Sequence, residues 1–143
     1  MSEVRIERTF AASPEQLFDA WTSPEVMARW LRCEADWGRS VAEVDLRVGG
    51  TIRVVMRKPD GSESEMAGEF TLIDRPRRLE MTWTFFDDPG NLQLMELAFT
   101  ELEPGRTKAV LVNSRIASDE RRRSQDDGWR GCLDQLEVLL AAR

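Results

Sequence analysis

The chain has 143 residues and a mass of 16.4 kDa, 41% hydrophobic and 32% charged. That is the size and balance of a single globular domain spanning 1–143, able to bury about 68–70% of its unfolded surface. A formal charge of −6 repels phosphate backbones, so no nucleic-acid partner is expected. The absence of His excludes Ser-His-Asp and Cys-His nucleophile chemistry and removes the commonest metal ligand.

Val4-Arg5-Ile6-Glu7-Arg8-Thr9-Phe10 alternates apolar and charged residues, the period of a half-buried strand. Ser13-Pro14-Glu15-Gln16 then reads as a helix start: a capping hydroxyl, Pro at the first helical position, and Gln closing a capping box. Leu17, Phe18 and Trp21 share its core-facing side. Pro24 would break one long helix, so a second short helix begins there with Ser23 as its cap. Val26, Met27, Trp30 and Leu31 form its apolar stripe.

From residue 41 to 116 the period becomes two, with turn residues between the segments. Val44, Leu46 and Val48 predict a strand that turns at Gly49-Gly50 as a two-residue hairpin. Ile52, Val54 and Met56 return, ending at Pro59-Asp60-Gly61. Met66 to Ile73 makes the next strand, then Asp74-Arg75-Pro76 turns. Leu79, Met81, Trp83 and Phe85 occupy one face of its successor, which turns at Asp87–Asn91. Met95, Leu97 and Phe99 follow, then Glu103-Pro104-Gly105 and a last strand from about Thr107 to Ile116. Six strands in an antiparallel meander, with Val4–Phe10 as a seventh, are predicted.

The chain ends in a helix of more than 20 residues, capped by Ser118 or Asp119. Trp129, Cys132, Leu133, Leu136, Leu139 and Leu140 form one stripe opposite Arg130, Asp134 and Glu137. Gly128 and Gly131 lie within it, each costing roughly 1 kcal/mol relative to Ala. Either the helix kinks there or something packs against its backbone.

No catalytic constellation emerges. Gly49-Gly50 lacks the further glycines and following helix of a phosphate loop. Asp87-Asp88 and Asp126-Asp127 are adjacent pairs whose side chains diverge, and Arg121-Arg122-Arg123 sits among acids as a solvated face. Cys33 and Cys132 are too few and too far apart for a zinc site or a disulfide framework, and are most simply read as small hydrophobes. They are expected to be reduced and unbridged, and neither sequence neighbourhood identifies an activating partner. No cofactor or metal is expected. No apolar run approaches the roughly 20 residues of a bilayer span, and the first residues lack an apolar export region, so a cytoplasmic location is expected. Five Trp, six Phe and six Met with no Tyr supply large adaptable apolar area, for a filled core or for a lined cavity.

The order strand, two short helices, six-strand meander and long final helix resembles the SRPBCC superfamily, also called START-like or birch-pollen-allergen-like. More narrowly the chain resembles its activator-of-Hsp-ATPase-like branch. The carrying residues are Arg8 through Thr22, Met27-Ala28-Arg29-Trp30, Asp45 through Gly50, Gly68-Glu69-Phe70, Arg78-Leu79, and Gly128-Trp129 with Leu133 and Leu136. The resemblance implies an α+β helix-grip fold, a curved antiparallel sheet of about seven strands around a long C-terminal helix. It also implies a cavity between sheet and helix suited to apolar ligands. Many relatives of that branch carry a His near the end of the last strand; this chain places Asn113 there, which can hydrogen-bond a ligand but cannot act as a general base.

The function expected is therefore binding of a small hydrophobic or amphipathic ligand without chemistry. The expected lining is Trp30, Met81, Trp83, Phe85, Met95, Phe99, Asn113, Trp129 and Leu133. Two alternatives stand beside it: a cyclase- or hydrolase-like enzyme using carboxylates, and a co-chaperone or regulatory module with a protein partner. A homodimer is compatible with each.

Overall fold

The computed structural model describes residues 2–142. Its elements run β1 (Ser2–Phe10), α1 (Pro14–Thr22), α2 (Pro24–Trp30), β2 (Val41–Val44), β3 (Thr51–Arg57), β4 (Glu63–Asp74), β5 (Arg78–Phe85), β6 (Gln93–Glu103), β7 (Arg106–Ile116) and α3 (Asp119–Ala141). All seven strands form one antiparallel sheet in the order β1-β7-β6-β5-β4-β3-β2. Because β1 and β2 sit at opposite edges, α1 and α2 carry the chain across the face that α3 also covers. This is the helix-grip architecture.

Local chemistry sets the helix boundaries. Ser13 and Gln16 form the reciprocal capping box, Ser13 N donating to Gln16 Oε1 at 2.8 Å and Gln16 N to Ser13 Oγ at 3.2 Å. Ser23 divides α1 from α2 by its extended backbone and makes no side-chain cap bond. At α3 the cap is Ser118, whose Oγ accepts from Arg121 N at 3.1 Å, with Asp119 and Glu120 in the first turn where the helix dipole favours negative charge. No helix among the described residues is long and apolar enough to cross a membrane.

Alternation holds cleanly where the sheet is covered on one side. Leu79, Met81 and Trp83 of β5, and Met95, Leu97 and Phe99 of β6, are buried toward α3. Register irregularities in β4 between Phe70 and Leu72, and in β6 between Glu101 and Glu103, are bulges that sharpen the twist and help the sheet curve. Gly68 lets β4 approach β5: a Cβ there would strike the Thr82 carbonyl.

The second strand differs from expectation. β2 ends at Val44, and Leu46 and Val48 lie exposed in a longer loop. Val44 pairs with Ile52, a register that a two-residue turn at Gly49-Gly50 cannot produce. Gly49 N instead donates to Phe70 O, and Phe70 N to Gly50 O, both at 2.9 Å, so the loop is tied to β4. Gly49 takes a positive φ of 85°, and a Cβ at Gly50 would run into the Asp45 carbonyl. The glycines are needed for a wide loop, not a tight hairpin.

Candidate functional site

Four tryptophans join the helical layer to the sheet. Trp21 and Trp30 meet edge to face at 4.7 Å, Trp21 and Trp129 lie 5.7 Å apart, and Trp129 reaches Trp83 at 6.0 Å. Phe85 continues the seam 6.4 Å from Trp83. Such pairs contribute about 0.5–1.5 kcal/mol beyond burial. Trp30 Nε1 donates to Ala20 O at 2.9 Å, whereas Trp83 Nε1 is buried without a hydrogen-bond partner.

Beyond the end of this seam lies a cavity of about 630 Å³. Its apolar wall is Trp37, Met56, Met66, Phe85, Phe86 and Trp129; Cys33, Cys132, Gln125 and Gly128 line it beside α3, and Lys58, Glu63, Glu65, Asp87 and Arg121 bring charge. The wall thus combines the segment after α2, the β3–β4 hairpin, the end of β5 and the first half of α3. The cavity forms because α3 rests mainly on β1, α2 and β7 and leaves the β3–β5 side of the gap less tightly covered.

Of the nine residues expected to line a ligand site, Phe85 and Trp129 border this cavity. Trp30, Met81, Trp83, Met95, Phe99 and Leu133 are buried in the continuous core instead. Asn113 points inward and is fully buried, but its bonds are already made. Its Oδ1 accepts from Gln125 Nε2 at 2.7 Å and Trp129 Nε1 at 3.2 Å; its Nδ2 donates to Gln93 Oε1 at 3.0 Å and Leu94 O at 3.2 Å. Gln93 also exchanges bonds with Gln125 at 3.2 and 2.9 Å and donates to Asn91 Oδ1 at 3.0 Å. Four buried amides and an indole therefore satisfy one another, as burial of polar groups requires. The signal for this cluster was a polar residue in an apolar phase: Gln93 sits two before Met95, and Gln125 four before Trp129.

The charged wall is mostly neutralised in place. Arg121 clamps Asp87 with two bonds of 3.1 Å and lies over the Phe85 ring at 5.8 Å. The Arg121 hydrogen bonds hold the Asp87 carboxyl below its ordinary range against the opposing effect of burial. Glu63 faces Arg57 at 3.5 Å, and Glu65 pairs with Arg53. Lys58 Nζ instead lies 5.8 Å from the Trp37 ring centroid, and no carboxylate among the described residues pairs with it.

The fold brings together two thiols that the sequence reading set too far apart: Cys33 and Cys132 both line the cavity, each shifts the other's ionisation, and both remain free. Gly131 explains the approach: a Cβ there would strike the Cys33 carbonyl, whereas one at Gly128 would make only an ordinary 3.5 Å contact with Cys33 Sγ. Gly131 is thus a close-packing device, and α3 runs unbroken through both glycines. The described residues contain no group of three or more acidic, His or Cys side chains able to hold a metal ion.

The fold and its helix-facing cavity place the chain among helix-grip proteins of the SRPBCC superfamily. A model of the Activator of Hsp90 ATPase homolog 1-like proteins matches residues 11–141, and the chain belongs to that family. Among solved structures, a protein from Chromobacterium violaceum has the same fold, with a TM-score of 0.87 at 22% identity over 98% of both chains. An HSP90 activator from Plasmodium falciparum is similar at 28% identity and a TM-score of 0.78, covering 99% of this chain and 97% of that one. An AHSA1-like protein from Aeromonas hydrophila is 27% identical with a TM-score of 0.81, covering 99% and 93%. No curated protein matches the sequence.

Proposed function

We propose that this protein binds a small amphipathic ligand, an apolar or aromatic body ending in an anionic head, in the cavity between the sheet and α3. The cavity itself carries the reading. Its volume of about 630 Å³ falls within the roughly 300–1,000 Å³ that accommodates small organic molecules. Trp37, Met56, Met66, Phe85 and Trp129 supply burial at about 25 cal/mol per Å², and the thioethers adapt to irregular shapes. The anionic head follows from charge: Glu63, Glu65 and Asp87 each face an arginine, leaving Lys58 as the cation to be met. Asp87, held ionised by Arg121, is poorly suited to donate a proton near neutral pH, which disfavours its use as a general acid.

Titration with anilinonaphthalene sulfonate and with neutral phenylnaphthylamine, read by probe emission and tryptophan quenching, tests this. Both should bind, and Lys58→Ala should weaken the anionic probe by about tenfold while sparing the neutral one. Failure of both probes to bind removes the ligand reading; equal binding of the anionic probe to wild type and Lys58→Ala removes the anionic head.

Likeness to the Plasmodium HSP90 activator supports a second reading, a chaperone partner of the Hsp90 class. Leu46 and Val48 on the β2–β3 loop are exposed apolar residues available to such a partner. Stimulation of a purified Hsp90 ATPase that Val48→Asp abolishes would support it, and an unchanged ATPase rate would remove it.

A further inference from the structure

We propose that Cys33 and Cys132 form a cavity-facing dithiol that is oxidised by hydroperoxides, with Cys33 the nucleophile and Cys132 the resolving thiol. The two residues come from opposite ends of the chain, yet both line one cavity, and the Cys33 main chain packs on the turn of α3 that carries Cys132. Their meeting is built into the backbone. Gly131 strips the α3 surface so that the Cys33 main chain can lie against it, and a side chain there would collide with the Cys33 carbonyl. Glycine is a poor choice in the middle of a long helix, and this contact is what Gly131 makes room for.

The pair is asymmetric in access. Cys33 is half-buried on the loop after α2, whereas Cys132 is buried on the helix. A molecule entering the cavity therefore meets Cys33 first. The electrostatics agree with that order. The neighbouring Cys132 thiol holds Cys33 below the ordinary thiol value; burial and Glu34 oppose this, and Lys58 assists it. The same neighbour, together with burial, pushes Cys132 well above its ordinary value, although the Arg32 backbone amide opposes this. Cys33 is therefore the first of the pair to ionise, beside a Cys132 that keeps its proton. A thiolate, not a thiol, is the nucleophile.

The reaction balances without a metal or cofactor. The Cys33 thiolate attacks the terminal oxygen of ROOH, forming Cys33–SOH as the O–O bond breaks and RO⁻ leaves. RO⁻ takes the Cys132 proton to become ROH. The resulting Cys132 thiolate attacks the Cys33 sulfur and expels hydroxide, closing an intramolecular disulfide. The two sulfurs together lose two electrons, and the peroxide gains them. A low-molecular-weight thiol, itself oxidised to its disulfide, returns the pair to the dithiol by exchange.

The test uses the full chain, reduced and freed of reductant, treated with equimolar cumene hydroperoxide, then denatured, alkylated and mapped by mass spectrometry. The expected product is a monomer lighter by two hydrogen atoms, with the Cys33 and Cys132 peptides joined. It should form at least about tenfold faster than in the urea-unfolded chain, where the thiols are no longer held together. Cys132→Ser should gain one oxygen atom at Cys33 that dimedone captures, and Cys33→Ser should keep Cys132 alkylatable. Two alkylatable thiols in the treated wild type, a cross-link between chains, or an unfolded chain that reacts as fast would each overturn the proposal. The wild-type cross-link map decides the matter even where a serine variant fails to fold.

Discussion

The two halves of α3 use the same helical geometry for opposite ends. Its C-terminal half is dry: Leu133, Leu136 and Leu140 are buried in the core, and Arg8 of β1 reaches over to Asp134 at 2.7 Å. The part before it, as far as Cys132, faces a cavity, and its inward positions are Arg121, Gln125, Gly128, Trp129 and Cys132. Leucine packing fixes where the helix lies; the polar and small residues then set the contents of the gap left on the β3–β5 side. On the proposed function, stability and binding are separated along one helix, and substitutions should divide accordingly.

The largest effect belongs to the dry half. Leu136→Ala, at a fully buried position, should cost about 3 kcal/mol in urea unfolding, with probe affinity of the folded fraction unchanged. A parallel loss of affinity would show that the halves are coupled. Gly131→Ala should cost about 2 kcal/mol, because the added methyl forces the Cys33 carbonyl away from the helix. Unlike Leu136→Ala, it should also slow formation of the Cys33–Cys132 cross-link. An unchanged cross-linking rate would separate the glycine from the thiol pair.

Within the polar half, Gln93→Ala removes partners from Asn113 and Gln125 and should cost about 1.5 kcal/mol. Gln93→Leu leaves one N–H of each of those amides without its partner, as alanine does, so it should give no rescue; full recovery by leucine would show that volume, not hydrogen bonding, holds the cluster. The smallest effect is electrostatic. Asp87 has a lowered pKa in the folded chain, so its stabilisation is complete above the ordinary carboxylate pKa and is lost as pH falls through the lowered value. Being largely exposed, it should contribute less than about 1 kcal/mol. Asp87→Asn should therefore flatten the acid limb of the stability–pH curve slightly and leave neutral-pH stability within that margin.

Legibility followed the same division. Signals between near neighbours were readable: the Ser13–Gln16 capping box, the proline break at Pro24, the alternation of β5 and β6, and the leucine stripe of α3. Pattern failed at Val44–Val48, because alternation alone does not say whether a strand has a partner in register. There the ties of Gly49 and Gly50 to Phe70 on β4 set the register instead. The site was less legible than the fold. An apolar residue in the inward phase reads the same whether a ring or a cavity lies opposite, so Trp83 and Phe85 were indistinguishable although the first is core and the second is wall.

Composition and periodicity by themselves determined the element order, the antiparallel meander, the inward faces and the absence of His-based chemistry. These depend on contacts within a few residues and on the burial of apolar area, both written into local pattern. Only the tertiary structure decided that Asn113 is spent inside an amide cluster and that Lys58 has no carboxylate partner among the described residues. It alone brought Cys33 against Cys132. Each of those depends on groups distant in sequence arriving at one point, and their distances are set by how α3 lies across the sheet.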